Sequence, residues 1–400
     1  MKRMRFYSIV LVLGFLLTGC GQGMQISTPP VDVPPGQDLL PFADESQHLY
    51  EQNLHRFDYD QNAPLQVQEE REWRENGNTW YDITYTSAGG RRASATLIVP
   101  DGRGPFAGLV VLHTMPAEFL NVYANWGAVV ILVEAVFPSL EDDGYPTFTA
   151  QDRDGQIQVI LDLRRAIDLL IARPDVDPDR LAYLGVSAGG ATGGLLAGIE
   201  DRLRAYVLIV GDGGWVTHFT DLEEQETFFG VDEEQKPWIA AMWPIEAIHY
   251  VGHATPAALL FQNVTRDTLV DPLKALQYQQ AGSEPKEVVW YDSVHWPLNE
   301  QVFQDNGRWL QQHIGPGKML LLPVPNYRGF AIVFDRLLLA WLILVASSLS
   351  YFGYSSTKGT PMRWERRMIW LLAIAVLGPF GLAVFVIWHR RTQCSPRQAA

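Results

Sequence analysis

Between Leu65 and Ile314, short apolar runs alternate with longer segments whose apolar residues recur every three or four positions. "TWYDITYTS" alternates polar and apolar residues and predicts an antiparallel edge strand, with "ASATLIVP" as its neighbour. "AGLVVLHT" and "GAVVILVEA" are β-branched runs bounded by glycine, the composition of strands buried on both faces. From Arg153 to Ala172 the residues Ile157, Ile160, Leu161, Ala166, Ile167 and Leu170 share one helical face, and the Pro/Asp turn "RPDVDPDR" stops that helix. The strands "RLAYLGVS", "RAYVLIVG", "PAALLFQN" and "KEVVWYD" then alternate with helices predicted over Ala188–Ile199, Asp271–Gly282 and Asn299–Ile314. Such alternation predicts an α/β fold, a mostly parallel sheet with helices on both faces. Residues 212–252 break the rhythm: rich in Trp, Glu and Asp, they fit no strand and read as a lid inserted after a strand end.

The two ends carry a different pattern. "MKRMRFYSIVLVLGFLLTGC" has a basic start, an apolar stretch from Phe6 to Leu17 and small residues after it, the layout of a secretory signal over residues 1–20. Gly- and Pro-rich sequence follows and reads as a flexible tether, with an N-terminal extension to residue 64. The globular body is then expected over residues 65–316. Beyond it, residues 331–352 and 368–388 each approach the ~20 apolar residues that cross a bilayer, which predicts a C-terminal transmembrane hairpin within 317–400. The connector between them holds Lys358, Arg363, Arg366 and Arg367 and belongs on the cytoplasmic side. The tail carries Arg390, Arg391 and Arg397, which the same rule also places inside; a break at Gly378-Pro379 is the alternative topology.

Charge sharpens this division. The chain has a net charge of −14, yet both ends are basic, so the body is strongly acidic. An acidic body repels a phosphate backbone, which argues against nucleic acid as partner, and it disfavours anionic substrates. The basic ends look like membrane flanks, with the lipid bilayer as partner. Two cysteines, Cys20 and Cys394, rule out a disulfide framework and a cysteine zinc site.

Candidate chemistry centres on Gly185-Val186-Ser187-Ala188-Gly189, a G-x-S-x-G pattern between a predicted strand and a predicted helix. In that setting the serine sits on a sharp turn with its oxygen exposed at the sheet edge, and its neighbours two residues away must be small. The amide of Ala188, at the start of the helix, is a candidate oxyanion donor, and the backbone amides of Thr114 or Met115 are candidates for the second. A serine nucleophile needs a base and an orienting acid, in the chain order Ser, acid, His. His295 follows the last predicted strand at the right sheet edge, whereas His218, His249, His253 and His313 read as structural or surface residues. Asp267 falls in the loop after the preceding strand; Asp212 and Asp271 are the rival acids, Asp271 preceding Pro272 as a helix cap would.

With these residues in place, the chain resembles the α/β-hydrolase superfamily, and within it the dienelactone hydrolase, acetyl-xylan esterase and prolyl-oligopeptidase catalytic-domain group. The resemblance runs from about Tyr81 to Ile314 and rests on "RPDVDPDRLAYLGVSAGG", the Asp267 loop and the His295 loop. It implies hydrolysis of esters, lactones or peptides by a Ser-His-Asp triad with no metal or cofactor. His113-Thr114 stands where that group has His-Gly, and no propeller precedes the body. Leu17-Thr18-Gly19-Cys20 resembles the lipobox of bacterial lipoproteins, which implies lipidation of Cys20 and a body held outside the cytoplasmic membrane. The expectation is a membrane-tethered serine esterase acting on a small ester or acyl substrate. A peptidase with the same machinery, or a non-catalytic module of the same fold, is the alternative.

Overall fold

The computed structural model describes residues 25–26, 31, 33, 38–40, 42–112, 120–134, 146–220, 235–295 and 300–315. The strands are β1 (Gln25–Ile26), β2 (Gln68–Glu75), β3 (Asn78–Thr86), β4 (Arg92–Pro100), β5 (Phe106–Leu112), β6 (Ala128–Val133), β7 (Val176–Val186), β8 (Ala205–Ile209), β9 (Ala258–Val264) and β10 (Lys286–Tyr291). Among these residues they form one sheet in the order β1-β10-β9-β8-β7-β5-β6-β4-β3-β2. The six strands β5 to β10 run parallel, β1 lies antiparallel at one edge, and β4, β3 and β2 continue antiparallel at the other. The helices are α1 (Ala43–Asn53), α2 (Asn121–Asn125), α3 (Gln151–Ala172), α4 (Ala188–Ala197), α5 (Trp215–Phe219), α6 (Lys236–Met242), α7 (Pro272–Ala281) and α8 (Glu300–His313).

The apolar runs are explained by cover on both sides. Along β5, Val110 and Leu112 face a core built with α3, α4 and α6, while Leu109 and Val111 face one built with α2 and α8. Alternate residues of β7 divide in the same way, Leu181 and Tyr183 to the first core and Ala182 and Leu184 to the second. Burying a side chain of this size contributes roughly 1.5–3 kcal/mol, so two continuous cores dominate what holds the sheet together.

Four elements lie outside the predicted pattern. "TWYDITYTS" is not the edge strand: β3 is covered by β2, which pairs with it from Gln68 to Glu75. β2 reads QEEREWRE and is exposed almost throughout, so no buried face imposed a period; charge on an edge strand instead discourages sheet-to-sheet association. Gln25–Ile26, inside the stretch read as tether, pairs with Trp290 and Tyr291 as a two-residue antiparallel strand, too short to show a period. Helix α1 is mostly polar and docks by particular contacts: Ser46 Oγ lies 2.7 Å from His249 Nδ1, the Tyr50 hydroxyl donates to the Gly198 carbonyl (3.1 Å), and the Tyr50 and His253 rings stack at 3.6 Å. Helix α2 spans five residues, too few to show a period.

Within the predicted lid, the described residues form α5, α6 and three short 3₁₀ turns, with Trp238, Met242 and Ile245 buried in the core beside α3. The predicted transmembrane hairpin, the signal segment with Cys20, and Phe228 and Phe229 of the lid lie outside the described residues. No described helix is long and apolar enough to cross a membrane.

One buried cation ties the segment before β2 to this core. Arg165 of α3 is 1% exposed; it donates to Asp168 Oδ2 (2.6 Å) and to the carbonyls of Gln61 (3.2 Å), Ala63 (2.6 Å) and Thr86 (3.3 Å). Removing it takes a donor from three carbonyls and leaves Asp168 to Arg202 (2.5 Å) and the Tyr59 hydroxyl (3.0 Å). Arg165→Met is therefore expected to cost about 1–3 kcal/mol in urea unfolding, the cost of unmet buried acceptors. A loss below 1 kcal/mol would show that the network does not hold the segment.

Candidate active site

β7 ends at Val186 and α4 begins at Ala188, so Ser187 alone makes the turn between them. It does so at φ 57° and ψ −120°, a conformation that a residue with a Cβ holds at a cost of roughly 1–3 kcal/mol. Two backbone bonds keep it there: the Ser187 N–H donates to the Ile209 carbonyl of β8 (2.8 Å), and the Ser187 carbonyl accepts from Ala191 (3.1 Å). A Cβ on Gly185 would overlap the Gly189 carbonyl, which itself accepts the Tyr183 hydroxyl at 2.7 Å. Only hydrogen fits at that position.

β9 and β10 run parallel to β7, so the loops after them emerge at the same edge. These two loops are cross-tied, Thr265 N–H to the Tyr291 carbonyl and Arg266 N–H to the Ser293 carbonyl, both at 3.0 Å. Asp267, three residues past β9, accepts the N–H groups of Leu269 and Val270 at 2.9 Å on Oδ1. His295, four residues past β10, has Nδ1 2.9 and 2.8 Å from the two Asp267 oxygens, and Nε2 3.2 Å from Ser187 Oγ. An ionised Asp267 only accepts, so His295 Nδ1 carries the proton, and the neutral ring then accepts the Ser187 hydroxyl at Nε2. The His295 and Asp267 side chains are 11% and 4% exposed, which keeps this chain of bonds largely out of water.

Two solved structures share the architecture. Acetyl xylan esterase 1 from Thermoanaerobacterium sp. JW/SL YS485 aligns at 17% identity with a TM-score of 0.53, covering 68% of this chain and 92% of its own. The acetyl xylan esterase from Paenibacillus sp. R4 aligns at 20% identity with a TM-score of 0.53, covering 72% and 100%. This is the fold of the α/β-hydrolase superfamily. The prolyl oligopeptidase family model matches residues 149–316, a segment that contains Ser187, Asp267 and His295. No curated protein matches the chain.

In this α/β-hydrolase fold the rival residues go elsewhere. Asp271 caps α7, accepting the Leu273 N–H at 2.7 Å. Asp212, just past β8, lies 2.7 Å from His218 Nδ1 and makes no bond to His295. His249 is buried against Ser46 and Trp243, and burial drives its pKa down to about 3. His253 stacks on Tyr50, and His313 packs against Trp309. Ala188 opens α4 beside Ser187, whereas Thr114 and Met115 lie outside the described residues. Among the described residues no His, Cys, Asp and Glu group has the arrangement of a metal site.

A cavity of about 230 Å³ opens beside the serine, its lining including Ser187, Ala188, Trp215, His218, Phe219 and Glu246. Of the lid aromatics, Trp215 and Phe219 reach it; Trp238 sits in the core and Trp243 packs on Phe42. The sequence reads His218 as a structural or surface residue; the structure sets it in this wall, with Nδ1 2.7 Å from Asp212 six residues earlier. Glu246 is buried and accepts the Thr217 N–H (3.0 Å). Burial raises its pKa to about 8, hydrogen bonds from Thr217 and Val216 resist the rise, and Asp212 adds to it.

Two measurements test these assignments of strain and charge. Ser187→Gly and Ser187→Ala both lack the hydroxyl, but only glycine relaxes at positive φ, so the Gly variant is expected to be the more stable by about 1 kcal/mol. Equal melting temperatures would remove the case for strain. For Glu246 the folded pKa lies above the unfolded one, so its contribution is full below about 4.3 and lost as pH rises through about 8. Glu246→Gln is therefore expected to gain stability relative to the parent as pH rises from about 5 to about 9. Parallel stability curves for the two proteins would contradict a neutral Glu246.

Proposed function

We propose that the protein is a serine hydrolase that cleaves carboxylic esters of small acyl substrates through an acyl-enzyme. The observation that carries this is the unbroken series of hydrogen bonds from Asp267 through His295 to Ser187 on a strained elbow. In this reading Ser187 Oγ attacks the acyl carbonyl as His295 Nε2 takes its proton, and Asp267 stabilises the imidazolium that forms. The Ala188 amide, with that of Thr114 or Met115, stabilises the oxyanion. His295 then returns the proton to the leaving group, and water repeats the sequence to release the acid. No step draws on a cofactor.

The match to the prolyl oligopeptidase family supports a second reading, a peptidase using the same three residues. For its location, the lipobox-like Leu17-Thr18-Gly19-Cys20 and the apolar stretches at 331–352 and 368–388 support a body held outside a bacterial cytoplasmic membrane by Cys20 lipidation and a transmembrane hairpin.

A fluorophosphonate probe on the full-length protein is expected to label the parent and not Ser187→Ala. Asp267→Asn should keep the fold and lower kcat by about 10³–10⁴. Absence of labelling in folded protein would favour a non-catalytic module. Nitrophenyl acyl esters run against prolyl and alanyl amides decide between the first two readings, with turnover of amides above esters overturning the esterase.

A further inference from the structure

His218 and Asp212 form a second imidazole–carboxylate pair beside Ser187, and the chemistry above does not use it. Asp212 is 3% exposed and its carboxylate also lies within 3.4 Å of the Gly214 N–H. The turn carrying His218 is held from three sides: Glu246 accepts the Thr217 N–H, the Lys274 ammonium of α7 donates to the His218 carbonyl (2.8 Å), and Asp212 takes Nδ1. The ring is thus fixed in the cavity wall with its side chain 28% exposed, and Nε2 has no hydrogen-bond partner among the described residues.

If Ser187 is the acyl acceptor, this cavity suits the part of the substrate that remains on it. The leaving group departs toward His295, its proton donor, and His295 is not in this wall, whereas Ala188 beside the oxyanion is. We propose that His218, oriented by Asp212, is the specificity-determining residue of this cavity and donates a hydrogen bond from Nε2 to an uncharged oxygen in the substrate's acyl chain. The inference rests on the reading of Ser187 as acyl acceptor.

Tautomer and charge support the donor role. With Nδ1–H given to Asp212, Nε2 carries a proton only in the imidazolium. Burial works against that form, but the attraction and hydrogen bond of Asp212 outweigh it; Lys274 opposes and Asp267 assists, and the pKa is raised. The acyl oxygen should be uncharged because the His218–Asp212 pair is neutral overall, and Glu246 in the same wall adds a negative charge as pH passes about 8. An apolar lining from Trp215 and Phe219 suits the carbon chain around one such oxygen.

The test compares 4-nitrophenyl pentanoate and hexanoate with 4-nitrophenyl 4-oxopentanoate and 5-oxohexanoate, each corrected for its rate of alkaline hydrolysis. The parent is expected to favour one oxo ester over its alkyl counterpart by about tenfold in kcat/KM, the effect of one net hydrogen bond. That ratio should fall toward one in His218→Leu, and also as pH rises above the pKa of His218. Asp212→Asn keeps the ring without its counter-charge and should lower the ratio as well, which covers the case in which His218→Leu does not fold. A parent that cleaves all four esters with no preference, a preference that survives in His218→Leu, or a 4-nitrophenyl hemisuccinate taken above the oxo esters would each overturn the proposal. A parent that neither cleaves esters nor reacts with fluorophosphonate would instead overturn the reading of Ser187, a distinguishable result.

Discussion

A parallel sheet holds Ser187 where its own backbone preferences would not. β7 lies between β5 and β8 and cannot drift, α4 leaves at once, and the Ser187 N–H is bound to the end of β8. With both flanking elements fixed, the single connecting residue has to take the φ 57° turn, and its hydroxyl projects from the sheet edge. The same parallel registration brings β9 and β10 to that edge, so residues 80 and 108 positions along the chain from Ser187 arrive within its reach. Loosening the parallel block would lose the turn and the convergence together.

Around that edge, two imidazole–carboxylate pairs differ in what their second nitrogen meets. His295 Nε2 meets the Ser187 hydroxyl, whereas His218 Nε2 is left to the cavity. Their acids also differ: Asp267 is anchored by two backbone N–H groups at 2.9 Å, and Asp212 by one at 3.4 Å. Beneath them Glu246 stays protonated at neutral pH because burial outweighs its hydrogen bonds. A neutral carboxyl there spares the site a further negative charge in an already acidic body.

Much of the central architecture was legible in the chain, for a definite reason. Strands covered on both faces must be apolar at every position, and helices covered on one face must be apolar every three to four, so β5 to β9 and the helices α3 and α8 left readable patterns. The parts that were not legible obey no burial period. β2 is exposed on both faces, α2 is one turn and a half, and α1 docks through Ser46 and Tyr50 rather than through an apolar stripe. Placing β3 at the sheet edge followed from its own alternation, which cannot reveal whether a charged strand pairs beyond it.

The sequence by itself determined the alternation of strands and helices from β5 to β10, the glycines that make a tight elbow possible, and the candidates Ser187, Asp267 and His295, because each of these is a local property of residue type and spacing. Tertiary structure decided which carboxylate turns to which imidazole. Asp267 and Asp212 both follow strands at one edge, and only the cross-tied loops after β9 and β10 assign Asp267 to His295, while the α5 turn assigns Asp212 to His218. Hydrogen bonds reach about 3 Å, and no spacing along a chain specifies a distance that depends on how distant segments pack.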